Sequence, residues 1–476
     1  MNQQRMIAKG TAFPFALLTV LFFAWAIPNN MTDTMLAAFK RIMSLSDSKT
    51  AWIQVVCYLL GYGCFAIPGA LFIKRHTYKS GVLLGLSLYA MGGFLFLPAK
   101  ICSQTNVGVS YYLFLLAIFV LFAGLSILET SANSYICEIG PASSATRRLN
   151  FAQSFNPFGA ITGVIISQAF VLSKLNTMNA QERALLSAEQ LSLIQDKELN
   201  AVTVAYVVLA AFMVVLLFLI AITKMPPLKE DNKTLDFKNT LKRLFRNKRY
   251  ILSVLAQFFY VGAQIAVWSF VIRYAMAQMN FDAVIASLGE GASQQQIIGA
   301  IRNMEPIAGA FYSFCDFIGL DALLPRTPEQ AGATYYILSL VLFVCFRFIC
   351  TWLMKYFKPV KLLVFFSLLA SACCCVTIFV KGVPGVYSLM MVSGCMSLMF
   401  PTIYGIGIEG LGEDTKIGGS GMVMAIAGAA VLTQIQGIVS DQSGSIETAY
   451  FIPAVAFALI AAYGIYARHR LVDKNV

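Results

Sequence analysis

Twelve apolar runs leave this chain little choice of fold. They cover roughly residues 11–40, 50–73, 80–98, 108–137, 148–173, 201–223, 250–278, 333–355, 361–380, 384–410, 417–440 and 447–468. About 20 predominantly apolar residues are enough for a helix to cross the hydrocarbon core of a bilayer. No water is present there to bond backbone groups, so each crossing segment must satisfy its own backbone as a helix. Charged residues make up only 12% of the chain, against about 25% in an ordinary soluble domain. The sequence therefore predicts an all-α membrane protein with twelve transmembrane helices. The first run lacks a short apolar core followed by a small-residue cleavage site, so it reads as a span and not as a leader.

The net charge of +12 does not point to nucleic acid, because most of the 35 Lys and Arg residues sit in short loops between spans. Their bias places both termini on the cytoplasmic side of the cell's inner (plasma) membrane. The stretch 224–249 is the strongest basic segment, with Pro226-Pro227 and Lys242-Arg243-Leu244-Phe245-Arg246-Asn247-Lys248-Arg249. It reads as a cytoplasmic linker with a surface helix touching anionic lipid. Short matches relate the two sides of it: Glu138-Ile139-Gly140 with Glu409-Gly410-Leu411-Gly412, Lys74-Arg75 with Lys355, and Phe22-Phe23 with Phe258-Phe259. The expected organisation is a six-helix bundle over 1–223, the linker 224–249, a second six-helix bundle over 250–468, and a tail 469–476. Two such parallel repeats are the major facilitator arrangement, with substrate held between them at the midplane. Residues 279–332 break the symmetry: their apolar pieces are too short to span, so they read as surface or re-entrant helices of an external cap.

The eleven cysteines lie mostly inside apolar runs, as in Cys373-Cys374-Cys375, and read as packing and not as a disulfide framework. The two histidines, His76 and His469, fall in loops, so neither a metal constellation nor a nucleophile–base pair for an enzyme is expected.

Polar residues inside the spans carry the chemistry. Trp25, Asn29 and Asp33 are spaced i, i+4, i+8 in the first run, one stripe of a helix. An ionised carboxylate near the bilayer centre costs about 2.5–3.5 kcal/mol on insertion scales, so it is usually paired, protonated or facing water. Ser126, Glu129, Thr130 and Asn133 add a second acid on one face of the fourth span. Gln153 and Asn156 precede Pro157, which permits a bend in the fifth. Gln257, Tyr260, Gln264 and Trp268 form a stripe in the seventh, Tyr404 follows Pro401 in the tenth, and Gln434 and Gln436 lie in the eleventh. Amides and carboxylates suit sugar hydroxyls, and flat aromatic rings suit the C–H face of a sugar. Any single amide can equally be helix–helix glue. An acid in a dry cavity can hold a proton and release it when wetted, which suggests coupling. Arg273 could pair with either acid instead, and carboxylate and amide oxygens also bind sodium.

Several of these stretches resemble the L-fucose/proton symporter family of the major facilitator superfamily, which also contains glucose/galactose transporters. They are Phe22-Phe23-Ala24-Trp25 with Asn29-Asn30 and Asp33; Leu128-Glu129-Thr130-Ser131-Ala132-Asn133; Arg148-Leu149-Asn150-Phe151-Ala152-Gln153-Ser154-Phe155-Asn156; Ala256-Gln257-Phe258-Phe259-Tyr260-Val261-Gly262-Ala263-Gln264 with Trp268; and Pro401-Thr402-Ile403-Tyr404 with Leu411-Gly412-Glu413-Asp414-Thr415-Lys416. The resemblance implies proton coupling at Asp33, sugar binding and coupling at Glu129, and a sugar near Trp25, Asn29 and Asn30. Departures are Thr32 where the family has Asn, Ile73 where the general facilitator motif has Asp, and the long 279–332 stretch. The expectation is a monomeric proton-coupled monosaccharide symporter with no cofactor beyond the proton. Asp33 and Glu129 would couple protons; Trp25, Asn29, Asn30, Glu129, Asn133, Gln153, Asn156, Tyr260, Gln264, Trp268 and Tyr404 would bind sugar. An exporter of a small metabolite or drug on the same fold is the alternative.

Overall fold

The computed structural model describes residues 11–43, 52–53, 55–104, 106–171, 183, 185–225, 237–289, 293–325 and 328–472. Eleven continuous helical stretches among them are long and apolar enough to cross a membrane. The first span is α1 (Ala12–Ile42). A π-helical segment, Val55–Gly63, runs into α2 (Cys64–Arg75) as the second. α3 (Tyr78–Phe94) and α4 (Phe96–Ser103) make the third, and α5 (Val107–Glu138) the fourth. The fifth is broken into α6 (Ala145–Gln153), α7 (Asn156–Ile166) and a π-helical end, Ser167–Val171. The break explains why eleven stretches are continuous where twelve spans are expected. Pro157 stands in the first turn of α7. It has no N–H to donate, and its ring disfavours helical continuation from the residues before it.

α8 (Ala188–Ile222) is the sixth span, α9 (Phe237–Arg246) lies in the linker, and α10 (Lys248–Met279) is the seventh. The 279–332 stretch contains α11 (Phe281–Ser287), α12 (Gln294–Met304) and α13 (Pro306–Phe317). The later spans are α14 (Pro328–Leu353), α15 (Pro359–Phe379), α16 (Val383–Met396) with α17 (Met399–Ile408), α18 (Thr415–Met424) with α19 (Gly428–Ser443), and α20 (Phe451–Val472).

The chain divides into two compact units, Met1–Gln257 with Pro401–Ala430, and Phe258–Phe400 with Val431–Val476. The sequence groups Pro401–Ala430 with the second repeat, yet this segment packs within the first unit. Polar contacts hold it there. The Ser134 and Tyr404 hydroxyls are 2.9 Å apart, and the Asn150 amide donates to Thr402 Oγ1 at 3.4 Å. Tyr250 donates to the Gly418 carbonyl at 2.9 Å. Arg243 on α9 makes a bidentate pair with Asp414, at 2.8 and 2.6 Å. The inner face of α9 buries Thr240 and Leu244, while Lys238, Lys242 and Arg246 stay exposed.

In the first unit α3 lies directly against α5. A Cβ on Gly92 would stand 2.4 Å from the Leu121 amide nitrogen, so only glycine permits this approach. Gly92→Leu is expected to destabilise the protein by about 2 kcal/mol, as overpacking of a closed interface does. A lowered melting temperature of the purified protein checks this; an unchanged one would mean that the helices can separate without cost.

Arg148, at the start of the fifth span, is wholly buried. Its guanidinium donates to the Ile136 and Cys137 carbonyls at 2.6 Å each, to Pro141 O at 3.2 Å and to Ser144 Oγ at 2.9 Å. These are the orphan carbonyls at the C-terminus of α5 and the loop beyond, where a cation also meets the negative end of the helix dipole. The start of the fifth span is thereby fixed to the end of the fourth.

Candidate functional site

The first unit gathers four of the expected site residues, with Tyr62, around one carboxylate. Asn29 on α1 donates through Nδ2 to the Tyr62 hydroxyl at 3.3 Å. Tyr62 and Asn133 are the polar neighbours of the Glu129 carboxyl group. Gln153 donates from Nε2 to Asn133 Oδ1 at 2.9 Å. Four spans thus meet at a single carboxylate: α1, the π-helical segment, α5 and α6.

Local structure places each member. The π-helical segment carries Tyr62 on its last turn, and such insertions re-aim side chains by shifting the helical register. The Tyr62 carbonyl accepts from Ser126 Oγ at 3.2 Å, which fixes that turn against α5. A Cβ on Gly163 would stand 2.4 Å from the Ile27 carbonyl oxygen, so α7 lies on α1 at contact distance. Asn156 at the start of α7 then donates to the Phe22 carbonyl at 3.3 Å.

Glu129 is 8% exposed, and its neighbours are a phenol and an amide, with no cation paired to it among the described residues. Asn29 Oδ1, Asn133 Nδ2 and Thr130 Oγ1 are buried and lack a hydrogen-bond partner among the described residues. An amide acceptor, an amide donor and a hydroxyl beside one carboxylate form a set that can bond the vicinal hydroxyls of a polyol. The same carboxylate can take up or release a proton without disturbing a permanent ion pair.

The remaining expected residues are placed as follows. Asn30 turns its amide back onto the Ala26 carbonyl at 2.9 Å. Trp25 is buried, its ring centroid 4.2 Å from that of Phe22. Tyr404 belongs to the first unit and meets Ser134. Asp33 lies on α1, and its side chain is outside the described residues. Tyr260, Gln264 and Trp268 lie on α10 within the second unit. Tyr260 donates to the Met396 carbonyl at 3.1 Å, Trp268 donates to Ser393 Oγ at 3.1 Å, and Gln264 is half-buried. A surface cleft beside Ile42, Gln104, Gln195 and Asp196 draws on none of these residues.

Trp25→Ala is expected to weaken substrate affinity about tenfold, or about 1.4 kcal/mol, through loss of an aromatic wall. Trp25→Phe should retain most of it. Calorimetric titration of both variants checks the pair; equal affinities for wild type and alanine would remove Trp25 from the site.

Two buried polar residues, one in each unit, escaped the sequence reading. Tyr62 sits between Gly61 and Gly63 in an apolar run, and that pair of glycines around a phenol is the only local signal. Arg347 is buried on α14 in the second unit, its guanidinium 5.0 Å over the Phe343 ring. Its Nε and Nη1 have no hydrogen-bond partner among the described residues, and Tyr260 is an electrostatic neighbour. A lone arginine inside an apolar run was the signal for it.

Comparison with known proteins shows the family of this chain. A family model described as Major Facilitator Superfamily matches residues 15–430. The L-fucose-proton symporter of Haemophilus influenzae is 35% identical over 475 residues, covering 97% of this chain and 98% of that protein. The L-fucose-proton symporter of Escherichia coli is 37% identical over 467 residues, covering 97% of this chain and 94% of that protein. The crystal structure of the major facilitator transporter FucP in the outward conformation superposes with a TM-score of 0.77 at 36% identity, covering 96% of this chain and 99% of that one.

Proposed function

We infer the function of this chain from its place in a family: it belongs to the major facilitator superfamily and, within it, to the family of the L-fucose–proton symporters. It is a proton-coupled monosaccharide symporter and not an enzyme. The substrate is a fucose- or hexose-type sugar, moved inward by alternating access with the proton as the sole coupling ion. The observation that supports this reading is a buried acid, Glu129, whose polar neighbours are the Tyr62 hydroxyl and the Asn133 amide, flanked by the Asn29–Tyr62 and Gln153–Asn133 hydrogen bonds. Asp33 serves as the second proton-handling acid. Trp25, Asn30 and Asn156 shape the sugar pocket of the first unit, and Tyr260, Gln264, Trp268 and Tyr404 complete the binding set. The protein works as a monomer in the inner membrane, with both termini in the cytoplasm and the exposed lysines and arginine of α9 against anionic lipid.

A thermal-shift screen of the purified protein across hexoses, deoxyhexoses and amino sugars tests the substrate class. Uptake of each hit into vesicles, with and without an imposed pH gradient, tests the coupling. Stabilisation by apolar compounds with no response to any sugar would favour the exporter reading instead.

A further inference from the structure

The described part of 279–332 holds none of the expected site residues, yet its contacts are specific. α12 and α13 form a hairpin around Glu305, which is fully buried. Its carboxylate caps α13 by accepting the amides of Ile307 at 3.2 Å and Ala308 at 2.7 Å. It also accepts the hydroxyl of Tyr335 on α14 at 3.2 Å, and that of Tyr387 on α16. The Tyr312 and Thr334 hydroxyls meet at 2.9 Å, and a Cβ on Gly309 would stand 2.7 Å from Arg302 Cγ, so the hairpin is closed on itself. Thr334, Tyr335 and Tyr387 stand near the N-termini of α14 and α16. By chain order these are the ends of the spans away from the basic linker. The depth of the hairpin is therefore set by two spans, at the level where tyrosines mark a membrane interface.

The hairpin has two unlike outer faces. α12 turns Gln295, Gln296, Arg302 and Asn303 outward. α13 turns out Ile307, Ala310, Phe314 and Phe317, spaced 3, 4 and 3 residues apart as one stripe, with Ile318 just past its end. Phe314 is 58% exposed and Phe317 is 87% exposed. The opposite side of α13 is apolar too, burying Ala308, Tyr312 and Cys315 against the unit. Exposed Ser313 and Asp316 stand at the edge of the apolar stripe, the arrangement of a helix lying at a membrane interface, and protein covers only the other side. Its twelve residues extend about 18 Å, too short to cross a bilayer.

We propose that α13 lies at the boundary between headgroups and acyl chains of the leaflet opposite the basic linker, with Ile307, Phe314 and Phe317 in lipid and α12 in water. Lipid is the occupant because Glu305 and Tyr312 bond the other side of the hairpin to the N-terminal ends of α14 and α16, which sets the exposed apolar stripe at the depth where those spans leave the bilayer. The stretch is then a membrane float and not a cap over the substrate path. This goes beyond the sugar reading and stands without it.

The test places photoreactive benzoylphenylalanine at position 314, 317 or 303 of the full-length protein. Each form is checked for monodispersity, reconstituted into vesicles of phosphatidylethanolamine and phosphatidylglycerol, illuminated and weighed by mass spectrometry. Lipid adducts at 314 and 317 at least fivefold above those at 303 are expected. Equal lipid yields at the three positions, or none at 314 and 317, would overturn the proposal. Covalently joined pairs of chains at 317 would overturn it in favour of a contact between copies.

Discussion

Glu129→Ala is expected to lower sugar affinity by roughly 100-fold, or about 2.8 kcal/mol. The side chain stands beside Tyr62 of the second span and Asn133 of its own, the fourth, so truncation removes its bonds to the sugar and leaves buried polar neighbours facing a cavity. Each buried polar group left without a partner costs about 1–3 kcal/mol, which is enough to account for the loss. Glu129→Gln separates the two roles of the residue. Its amide can still bond the Tyr62 and Asn133 side chains and a sugar hydroxyl, but it holds no titrating proton. The glutamine variant should bind within about tenfold of wild type, with an affinity that no longer varies with pH. Calorimetry of both variants across mildly acid to mildly alkaline pH checks the pair. An alanine variant of wild-type affinity would take Glu129 out of the site; a glutamine variant with wild-type pH dependence would take it out of coupling.

How much of this was legible in the sequence depended on periodicity. Asn29, Glu129, Asn133 and Gln153 stood out because polar residues at helical spacing contrast with an apolar background. In the first unit Asn29 bonds to Tyr62 and Gln153 bonds to Asn133, with Glu129 beside Tyr62 and Asn133. Tyr62 did not stand out, since tyrosine is unremarkable in a span, and its aim depends on a π-helical register that hydropathy does not encode. Pro157 announced a bend, but the full break at Ser154–Phe155 needs the neighbouring packing of α7 on α1 to be known. The linker boundary between repeats followed from charge, whereas the grouping of Pro401–Ala430 with the first unit rests on pairs such as Ser134–Tyr404 and Arg243–Asp414. Such pairs link residues more than 150 positions apart, and a local pattern carries no trace of them. Glu305 shows the same limit: the sequence marks a Glu-Pro helix start, and only the fold adds Tyr335 and Tyr387 to it.

Asp33→Asn is expected to abolish uphill accumulation while leaving downhill exchange of sugar. The reasoning rests on what one proton can supply. A charge crossing a membrane potential of 100 mV releases about 2.3 kcal/mol, which supports a sugar gradient of about 50-fold at one proton per sugar. Asparagine keeps a carboxamide acceptor on the Trp25–Asn29–Asp33 stripe but cannot carry that proton, so the attainable gradient falls to unity. Rates of equilibrium exchange need no proton and should survive, because the Asn29–Tyr62 and Gln153–Asn133 bonds beside Glu129 remain. Vesicles with an imposed potential and pH gradient measure the gradient, and counterflow of labelled sugar in the same vesicles measures exchange. Accumulation at the wild-type level would move the coupling proton to Glu129 alone. Loss of counterflow together with accumulation would make Asp33 a binding residue and leave the proton carrier to be sought on the other acid.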